Sequence, residues 1–353
     1  MCAGPPVAGD RRLPNRVGRR FVAVLIGLVV GVVLVEVGMR AAGVASPIDG
    51  SDLAHTWDPA GVFVADPDPE VGFGMIPGYR GTQVYRSSVT GDLVHTATAS
   101  LDARGFRAHP ARPGATRRLL AIGDSTTFGL GVDDDQSWPA HLQAALPAEW
   151  EVLNAGVPGR NLHQNVAWLR RELPVVRPEV VVLAFYRNDL GPAVPLGAAT
   201  VPQQLAAPTW WPAEAGLRRW SRIANLAGRT AERMAPRGQA VLEPLDRFSR
   251  EEDLVREFDW FVRAAQAVEA EPVVLVLPAM DLADPRSASL LLDMAAEVAR
   301  AYGAQVIRTE PTFEEMDPAD RVVLPAERHA SPAANLRIAE VVRRELRGVD
   351  QPK

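Results

Sequence analysis

The stretch RRLLAIGDST, at residues 117–126, joins a short apolar run to a turn and predicts where the main domain begins. Leu119 to Ile122 read as a buried strand, and Gly123 permits the backbone to turn sharply after it. Ligands of an open α/β sheet bind beyond the carboxyl ends of its strands, so Ser125 lies where a nucleophile is expected. The alternative is that Ser125 only caps the following helix, because serine and aspartate are common at that position.

Four more short aliphatic runs follow, and residues with helical spacing separate them. These runs are Glu151 to Leu153, Val180 to Phe185, Val273 to Leu277 and Gln305 to Ile307. Strands that alternate with helices pair in parallel. Residues 117–353 therefore predict an α/β domain, a three-layer α/β/α sandwich around a five-stranded parallel sheet. A capping box at Ser249 and Glu252, and Ser331 followed by Pro332, predict the starts of two of its helices.

Residues 21–43 form a membrane-length apolar segment, whose first fifteen residues are uncharged and almost wholly aliphatic. About 20 helical residues span the hydrocarbon layer of a bilayer, and Glu36 would then lie near its far side. Residues 1–20 contain five arginines, so they predict a basic cytoplasmic tail, a signal-anchor helix and an extracytoplasmic remainder. A cleaved signal peptide ending near Ala45 and a buried helix of a soluble protein are the alternatives.

Two segments lack the βα repeat. Residues 44–116 are rich in Gly, Pro and Asp and contain short alternating runs, which predict a loop-rich, partly β segment. Residues 191–248 form a long insertion between the third and fourth predicted strands. Its tryptophans, Trp210, Trp211 and Trp220, either bury apolar area or belong to a cap over the substrate.

Composition excludes several classes of function. The net charge is −5 although residues 1–20 are basic, so the body of the chain is acidic and a poor partner for nucleic acid. Cys2 is the one cysteine, which excludes an intramolecular disulfide and a cysteine-based zinc site. The run Asp133-Asp134-Asp135 predicts a solvated loop rather than a calcium site. The sequence therefore predicts neither a metal nor a cofactor.

A serine hydroxyl needs a base to become nucleophilic. Of the six histidines, His329 is the one in a loop between the fifth predicted strand and the last helix, from where it can reach the carboxyl edge of the sheet. Candidate oxyanion donors are the backbone N–H groups of Ser125 and Gly156 and the Asn188 side-chain amide, which follow the first three strands. Turn formation alone also accounts for Gly156 and Asn188. The carboxylates expected to organise the turns are Asp124 and Asp189.

These motifs together resemble those of the SGNH, or GDSL-like, hydrolases. The matching blocks are Gly123-Asp124-Ser125, Gly156 within NAGVPG, Asn188-Asp189, and His329. The resemblance covers about residues 117–347 and implies a flavodoxin-like sheet and an esterase, lipase, thioesterase or carbohydrate O-deacetylase. The stretches GFGMIPG and LDARGFR, together with the apolar segment, are similar to the membrane-anchored bacterial branch, which implies an enzyme at the outer face of a bacterial cell membrane.

Two positions depart from the family pattern. Tyr186 stands where the family usually has glycine, and Ala326 stands where it usually has the aspartate of the triad. Glu327 is the nearest carboxylate and the candidate acid that orients His329. The function expected is hydrolysis of a small-molecule or carbohydrate ester through an acyl-Ser125 intermediate. An O-acyltransferase of an envelope polysaccharide and a catalytically weak module that binds a polysaccharide or a partner are the alternatives.

Overall fold

The computed structural model describes residues 16–42, 53–87, 90–191, 221–224, 226–227, 247–278, 285–324 and 327–347. Two compact units make up the chain. One comprises Met1–Pro47 and Ala213–Ala235, and the other comprises Ile48–Pro212 and Pro236–Lys353. The loop-rich segment and the α/β domain therefore belong to the same unit.

The larger unit is built on a five-stranded parallel sheet, as the sequence predicts. Its strands are β6 (Arg117–Ile122), β7 (Trp150–Asn154), β8 (Val180–Phe185), β9 (Glu271–Val276) and β10 (Gln305–Arg308). They lie in the order β10-β9-β8-β6-β7, and every neighbouring pair is parallel. Counted along the chain this is the flavodoxin-like order 2-1-3-4-5, in which a ligand crevice opens between the first and third strands.

Helices cover both faces of this sheet because successive residues of each buried strand point to opposite sides. On one face Leu120, Ile122 and Leu183 join a core with α4 (Leu162–Val176), α5 (Arg247–Gln266) and α6 (Pro285–Ala301). On the other face Leu119 and Ala121 join a core with α3 (Trp138–Ala145) and α9 (Pro332–Glu345). The remaining short helices are α2 (Ser125–Phe128), α7 (Glu310–Glu314) and α8 (Pro318–Arg321).

The loop-rich segment is more regular than its composition suggests. Its longer strands, β1 (Leu53–Asp58), β4 (Arg80–Ser87) and β5 (Leu93–Ser100), form an antiparallel sheet in the order β1-β4-β5. Two short strands, β2 (Phe63–Ala65) and β3 (Phe73–Met75), form a separate antiparallel pair. Apolar side chains of this segment share a core with Phe128 and Leu130, which come directly after the Gly123-Asp124-Ser125 turn.

In the smaller unit, α1 (Arg16–Ala41) is the one helix among the described residues that is long and apolar enough to cross a membrane. Its window Arg20–Ala41 has a mean hydropathy of 2.7 and none of it is buried. The Glu36 carboxylate pairs with Arg40 one turn further on and accepts hydrogen bonds from the backbone N–H groups of Arg222 and Ile223. These bonds satisfy the one acidic group of the apolar segment.

Of the two helix starts predicted from the sequence, the structure confirms that of α9 and contradicts that of α5. Ser331 caps α9, accepting a 3.1 Å hydrogen bond from the Ala334 N–H with Pro332 at the first helical position, as predicted. The capping box at Ser249 is wrong, because α5 begins at Arg247 and Ser249 lies inside it. Most of the 191–248 insertion, with its three tryptophans, lies outside the described residues.

Candidate active site

The turn after β6 leaves the Ser125 hydroxyl free of a capping role. Asp124 is the N-cap of α2, and its Oδ1 accepts a 2.8 Å hydrogen bond from the Thr126 N–H. Ser125 is therefore the first residue of the helix, and its side chain is buried with 8% exposure. Gly123 is required beside it, because a Cβ there would lie 2.4 Å from the Thr127 Oγ1. Of the two interpretations of the serine, this geometry favours the nucleophile.

His329 lies against this serine. The His329 Nε2 is 2.7 Å from the Ser125 Oγ, which is hydrogen-bond distance, and an unprotonated Nε2 at this place can accept the hydroxyl proton. The sequence placed His329 in a loop, but it lies in a strand, β12 (Glu327–Ala330), paired with β11 (Val322–Leu324). The cap of α9 follows two residues later, so the hairpin and the helix together fix the position of the imidazole.

Gly156 follows β7 and lies beside α2. A Cβ at Gly156 would be 2.4 Å from the Phe128 backbone nitrogen, so only glycine permits this approach. The Gly156 N–H donates a 3.0 Å hydrogen bond to the Asn154 Oδ1, and the Asn154 Nδ2 donates to the Thr127 carbonyl at 2.9 Å. An oxyanion would have to share the Gly156 N–H with Asn154, a competition that the sequence did not predict.

Asn188 and Asp189 follow β8, the strand that pairs with β6, so they flank the crevice together with Ser125. Asn188 is exposed, as a donor to a substrate oxygen must be. Asp189 is buried, and its Oδ2 accepts a 2.7 Å hydrogen bond from the Tyr186 N–H. Burial raises the pKa of Asp189 well above its usual range, and the nearby Asp124 carboxylate adds to this shift. The hydrogen bond from Tyr186 is the kind of contact expected of a carboxyl group that organises the turn, and burial favours its protonated form.

Glu327, the candidate triad acid, begins β12, two residues before His329. Its side chain lies outside the described part of the structure, so its orienting role stays a prediction. Among the described residues, no group of three His, Cys, Asp or Glu side chains could hold a metal ion.

The acidic run Asp133-Asp134-Asp135 lies in a loop before α3, as expected, but its first two carboxylates are half-buried and bound to protein groups. Asp133 accepts a 2.7 Å hydrogen bond from the Thr98 N–H of β5, and Asp134 forms an ion pair with Arg107 at 3.1 Å. Only Asp135 is exposed. The sequence did not identify Arg107, which is the last residue of the LDARGFR stretch. It also did not identify Asn154 as the hydrogen-bond partner of the Gly156 N–H and the Thr127 carbonyl.

Known proteins similar to this chain are lipases and esterases. The model of the GDSL-like Lipase/Acylhydrolase family matches residues 121–335. Esterase TesA of Pseudomonas aeruginosa is 36% identical over 78 residues, which are 21% of this chain and 39% of that esterase. The matched region is thus well under half the length of that curated relative.

Solved structures that match this chain include a crystal structure of TesA and the lipase/acylhydrolase from Enterococcus faecalis. The TesA structure has a TM-score of 0.41 and 20% identity, covering 66% of this chain and 99% of TesA. The E. faecalis protein has a TM-score of 0.42 and 18% identity, covering 67% of this chain and 99% of its own. Because the family model matches more than half of the sequence, this chain belongs to the GDSL-like lipase/acylhydrolase family, a family of ester-cleaving hydrolases.

The buried Asp189 predicts how stability depends on pH. In the unfolded chain an aspartate ionises near pH 3.9, whereas folded Asp189 keeps its proton to higher pH. Above about pH 4 the folded chain therefore binds more protons, and the free energy of unfolding falls by up to about 1.36 kcal/mol per pH unit until the pKa of the folded state is reached. Asp189→Asn should remove this loss, so its melting temperature should exceed that of wild type by a growing margin as the pH rises above about 4.

Thermal unfolding of both proteins across that pH series makes the comparison. The matched control is Asp135→Asn, which changes an exposed carboxylate and should follow wild type throughout. Parallel pH curves for wild type and Asp189→Asn would contradict a neutral Asp189.

Proposed function

We propose that this chain is a serine esterase that works through an acyl-enzyme. The observation that carries the proposal is the 2.7 Å distance between the His329 Nε2 and the Ser125 Oγ. The Ser125 oxygen attacks the ester carbonyl carbon while His329 accepts the hydroxyl proton. His329 then gives that proton to the departing alkoxide oxygen, and the acyl group stays on Ser125. Water attacks the acyl carbon with His329 again as the base, releasing the acid and restoring the serine.

The oxyanion formed in both steps needs donors aimed at one point. The Ser125 N–H, which begins α2, and the exposed Asn188 amide are the proposed donors, with Gly156 contributing a shared N–H. Loss of one such donor typically costs about 2.7–4 kcal/mol of transition-state stabilisation.

We propose Glu327 as the acid that orients His329. It lies two residues away in β12, and residues at that spacing belong to the same face of a strand. An acid in this role holds the imidazole in the tautomer that accepts the serine proton, and amide replacement in serine proteases costs about 10⁴ in kcat. Since glutamate is longer than the usual aspartate, we expect a smaller loss for Glu327→Gln, about 10- to 10³-fold.

The proposed location is the outer face of a bacterial cell membrane, with α1 as an uncleaved anchor. The arginines of residues 1–20 favour a cytoplasmic N-terminus, and the exposed apolar surface of α1 requires a lipid environment. An O-acetylated carbohydrate of the cell envelope is the substrate proposed for this location. Alkaline carbonate extraction should leave the full chain in the membrane pellet, whereas its release would oppose the anchor.

The test of the activity uses the full chain in a mild detergent. Hydrolysis of activated acetate and octanoate esters and of an acetylated oligosaccharide should show turnover and reveal the preferred acyl length. A fluorophosphonate should label the protein covalently, and peptide mass mapping should place the label on Ser125. Absence of both turnover and label in a folded preparation would overturn the esterase proposal and favour a binding module.

A further inference from the structure

Arg107 is a fully buried cation in the segment that precedes the α/β domain. It follows β5, and its backbone forms isolated bridges to Leu101 and to Asn154 at the end of β7. Its side chain has no exposed surface, yet each of its nitrogen donors is used. Nε donates to Asp134 at 3.1 Å, Nη1 donates to two carbonyls and Nη2 donates to two more. A buried guanidinium satisfied in this way is a rigid five-point clamp.

Three of the four carbonyls belong to the last residue of α2 and to the chain directly after it. Arg107 binds the oxygens of Phe128 at 3.1 Å, Gly129 at 2.8 Å and Val132 at 2.7 Å. Its guanidinium carbon also lies 4.4 Å from the centre of the Phe128 ring. The fourth carbonyl, that of Thr98, is on β5 and accepts at 2.8 Å. The clamp therefore joins the far end of α2 to the antiparallel sheet.

The helix α2 cannot hold its own conformation. It has four residues, and one turn of helix is unstable by itself because nucleation fixes many dihedrals for few hydrogen bonds. Its internal support is the Ser125 carbonyl, which accepts from the Gly129 and Leu130 N–H groups at 3.0 Å each. Whatever fixes residues 128–132 thus also fixes Ser125 at the other end of the turn.

Other contacts to this turn come from the same antiparallel sheet. The Gly131 N–H donates to the Gln83 Oε1 at 2.7 Å, and the Gly131 carbonyl lies 2.7 Å from the His95 Nε2. The Ser100 N–H donates to Asp134 at 2.9 Å. These bonds and the Arg107 clamp make the antiparallel sheet a support for the nucleophile turn.

We infer that Arg107 is a positioning residue for the ester-cleaving reaction: its guanidinium fixes the Ser125–Val132 turn and thereby aligns the Ser125 hydroxyl with His329. This inference rests on the proposed function. Arg107 reaches no substrate, since all its donors are taken by protein groups. It acts on the rate of acyl transfer and leaves substrate binding nearly unchanged.

The test compares Arg107→Lys with Arg112→Lys in the full chain. Lysine keeps the charge but not the planar fork, and a displacement of about 1 Å in a reacting group can cost about 10²-fold in rate. Arg107→Lys should therefore lower kcat by about 10- to 100-fold with KM within about 3-fold. Arg112 is the matched control, because it donates to the carbonyls of Gln143, Leu146 and Pro147 at the end of α3, away from Ser125.

Melting temperatures separate positioning from general destabilisation. Arg112→Lys should lower the melting temperature while kcat stays within about 2-fold of wild type. The reason is that the half-buried Arg112 side chain binds carbonyls away from Ser125, so its loss weakens the fold without moving the Ser125 hydroxyl. A folded Arg107→Lys with the kcat of wild type would overturn the inference. Equal losses of kcat in both variants, in step with their melting temperatures, would overturn it as well.

Amide hydrogen exchange supplies a readout that needs no esterase activity. Peptides covering residues 125–132 should exchange faster in Arg107→Lys than in wild type and Arg112→Lys, and unchanged exchange there would refute the clamp. If wild type cleaves no ester, the proposed function fails while the exchange result still decides the clamp. If Arg107→Lys does not fold, Asp134→Asn replaces it in both measurements, since it removes only the Nε ion pair. Unchanged kcat and exchange in Asp134→Asn would then overturn the inference.

Discussion

Ser125→Ala should lower kcat for ester hydrolysis by about 10⁴- to 10⁶-fold and abolish covalent labelling by a fluorophosphonate. The alanine removes the oxygen that forms the acyl-enzyme, and His329 then has no proton to accept. The fold should persist, because the Asp124 side chain rather than that of Ser125 caps α2. Any residual hydrolysis should come from direct attack of water on the ester carbonyl carbon while the remaining oxyanion donors hold the carbonyl oxygen. Initial rates with an activated acetate ester, together with the melting temperature, make the measurement.

Ser137→Ala is the matched control for this variant. Ser137 is also buried, and its Oγ has no hydrogen-bond partner within the part of the chain that the structure describes. Both variants remove one buried hydroxyl from the same domain, but only one removes the proposed nucleophile. We expect Ser137→Ala to retain the rate of wild type within about 2-fold, since no bond is lost. Equal rates in Ser125→Ala and wild type would end the acyl-serine mechanism.

The sheet could be predicted closely because its strands are buried on both faces. Val180–Phe185 is an unbroken apolar run, and the predicted strand coincides with β8. The predicted strands Leu119–Ile122 and Glu151–Leu153 are shorter than β6 and β7. The parallel ladder extends β6 back to Arg117 and β7 from Trp150 to Asn154. The periodicity of the sequence therefore locates strands well and their ends less well.

Site residues were predictable where a local rule places them at a strand end. Gly123 and Asn188 were proposed in this way, and His329 was proposed from the segment between the fifth predicted strand and the last helix. Asn154 and Arg107 were not, because each acts through backbone carbonyls that are distant in sequence. Asn154 reaches the Thr127 carbonyl, and Arg107 reaches the carbonyl of Val132, 25 residues further along the chain. Such partners have no side-chain signature, so only the fold reveals that these two polar groups are satisfied when buried.

The same reasoning explains why Asp133 and Asp134 were misjudged. Three consecutive aspartates look like a solvated surface when they are considered alone. The antiparallel sheet supplies the N–H groups of Thr98 and Ser100, and Arg107 supplies a cation, so two of the carboxylates become structural acceptors. A segment that resembles a spacer by composition thus provides the partners of the loop that follows the nucleophile.

His329→Ala should lower kcat by about 10⁴-fold or more, close to the effect of Ser125→Ala, because the two groups act as a unit. Without the imidazole the Ser125 hydroxyl keeps its proton, and a neutral hydroxyl attacks an ester slowly. Fluorophosphonate labelling of Ser125 should slow as well, since it needs the same deprotonation. His141→Gln is the matched control: His141 is half-buried in α3, its Nε2 has no hydrogen-bond partner among the described residues, and its loss should leave kcat within about 2-fold of wild type.

Chemical rescue separates loss of the base from loss of structure. His329 is only partly buried, so His329→Gly should open a space that added imidazole can enter. Imidazole bound there accepts the Ser125 proton in place of the missing side chain and should raise the rate of His329→Gly in a saturable manner. It should not restore Ser125→Ala, in which the nucleophile itself is absent. If His329→Gly folds and labels at the rate of wild type without imidazole, His329 is not the base, and the 2.7 Å contact with Ser125 is structural.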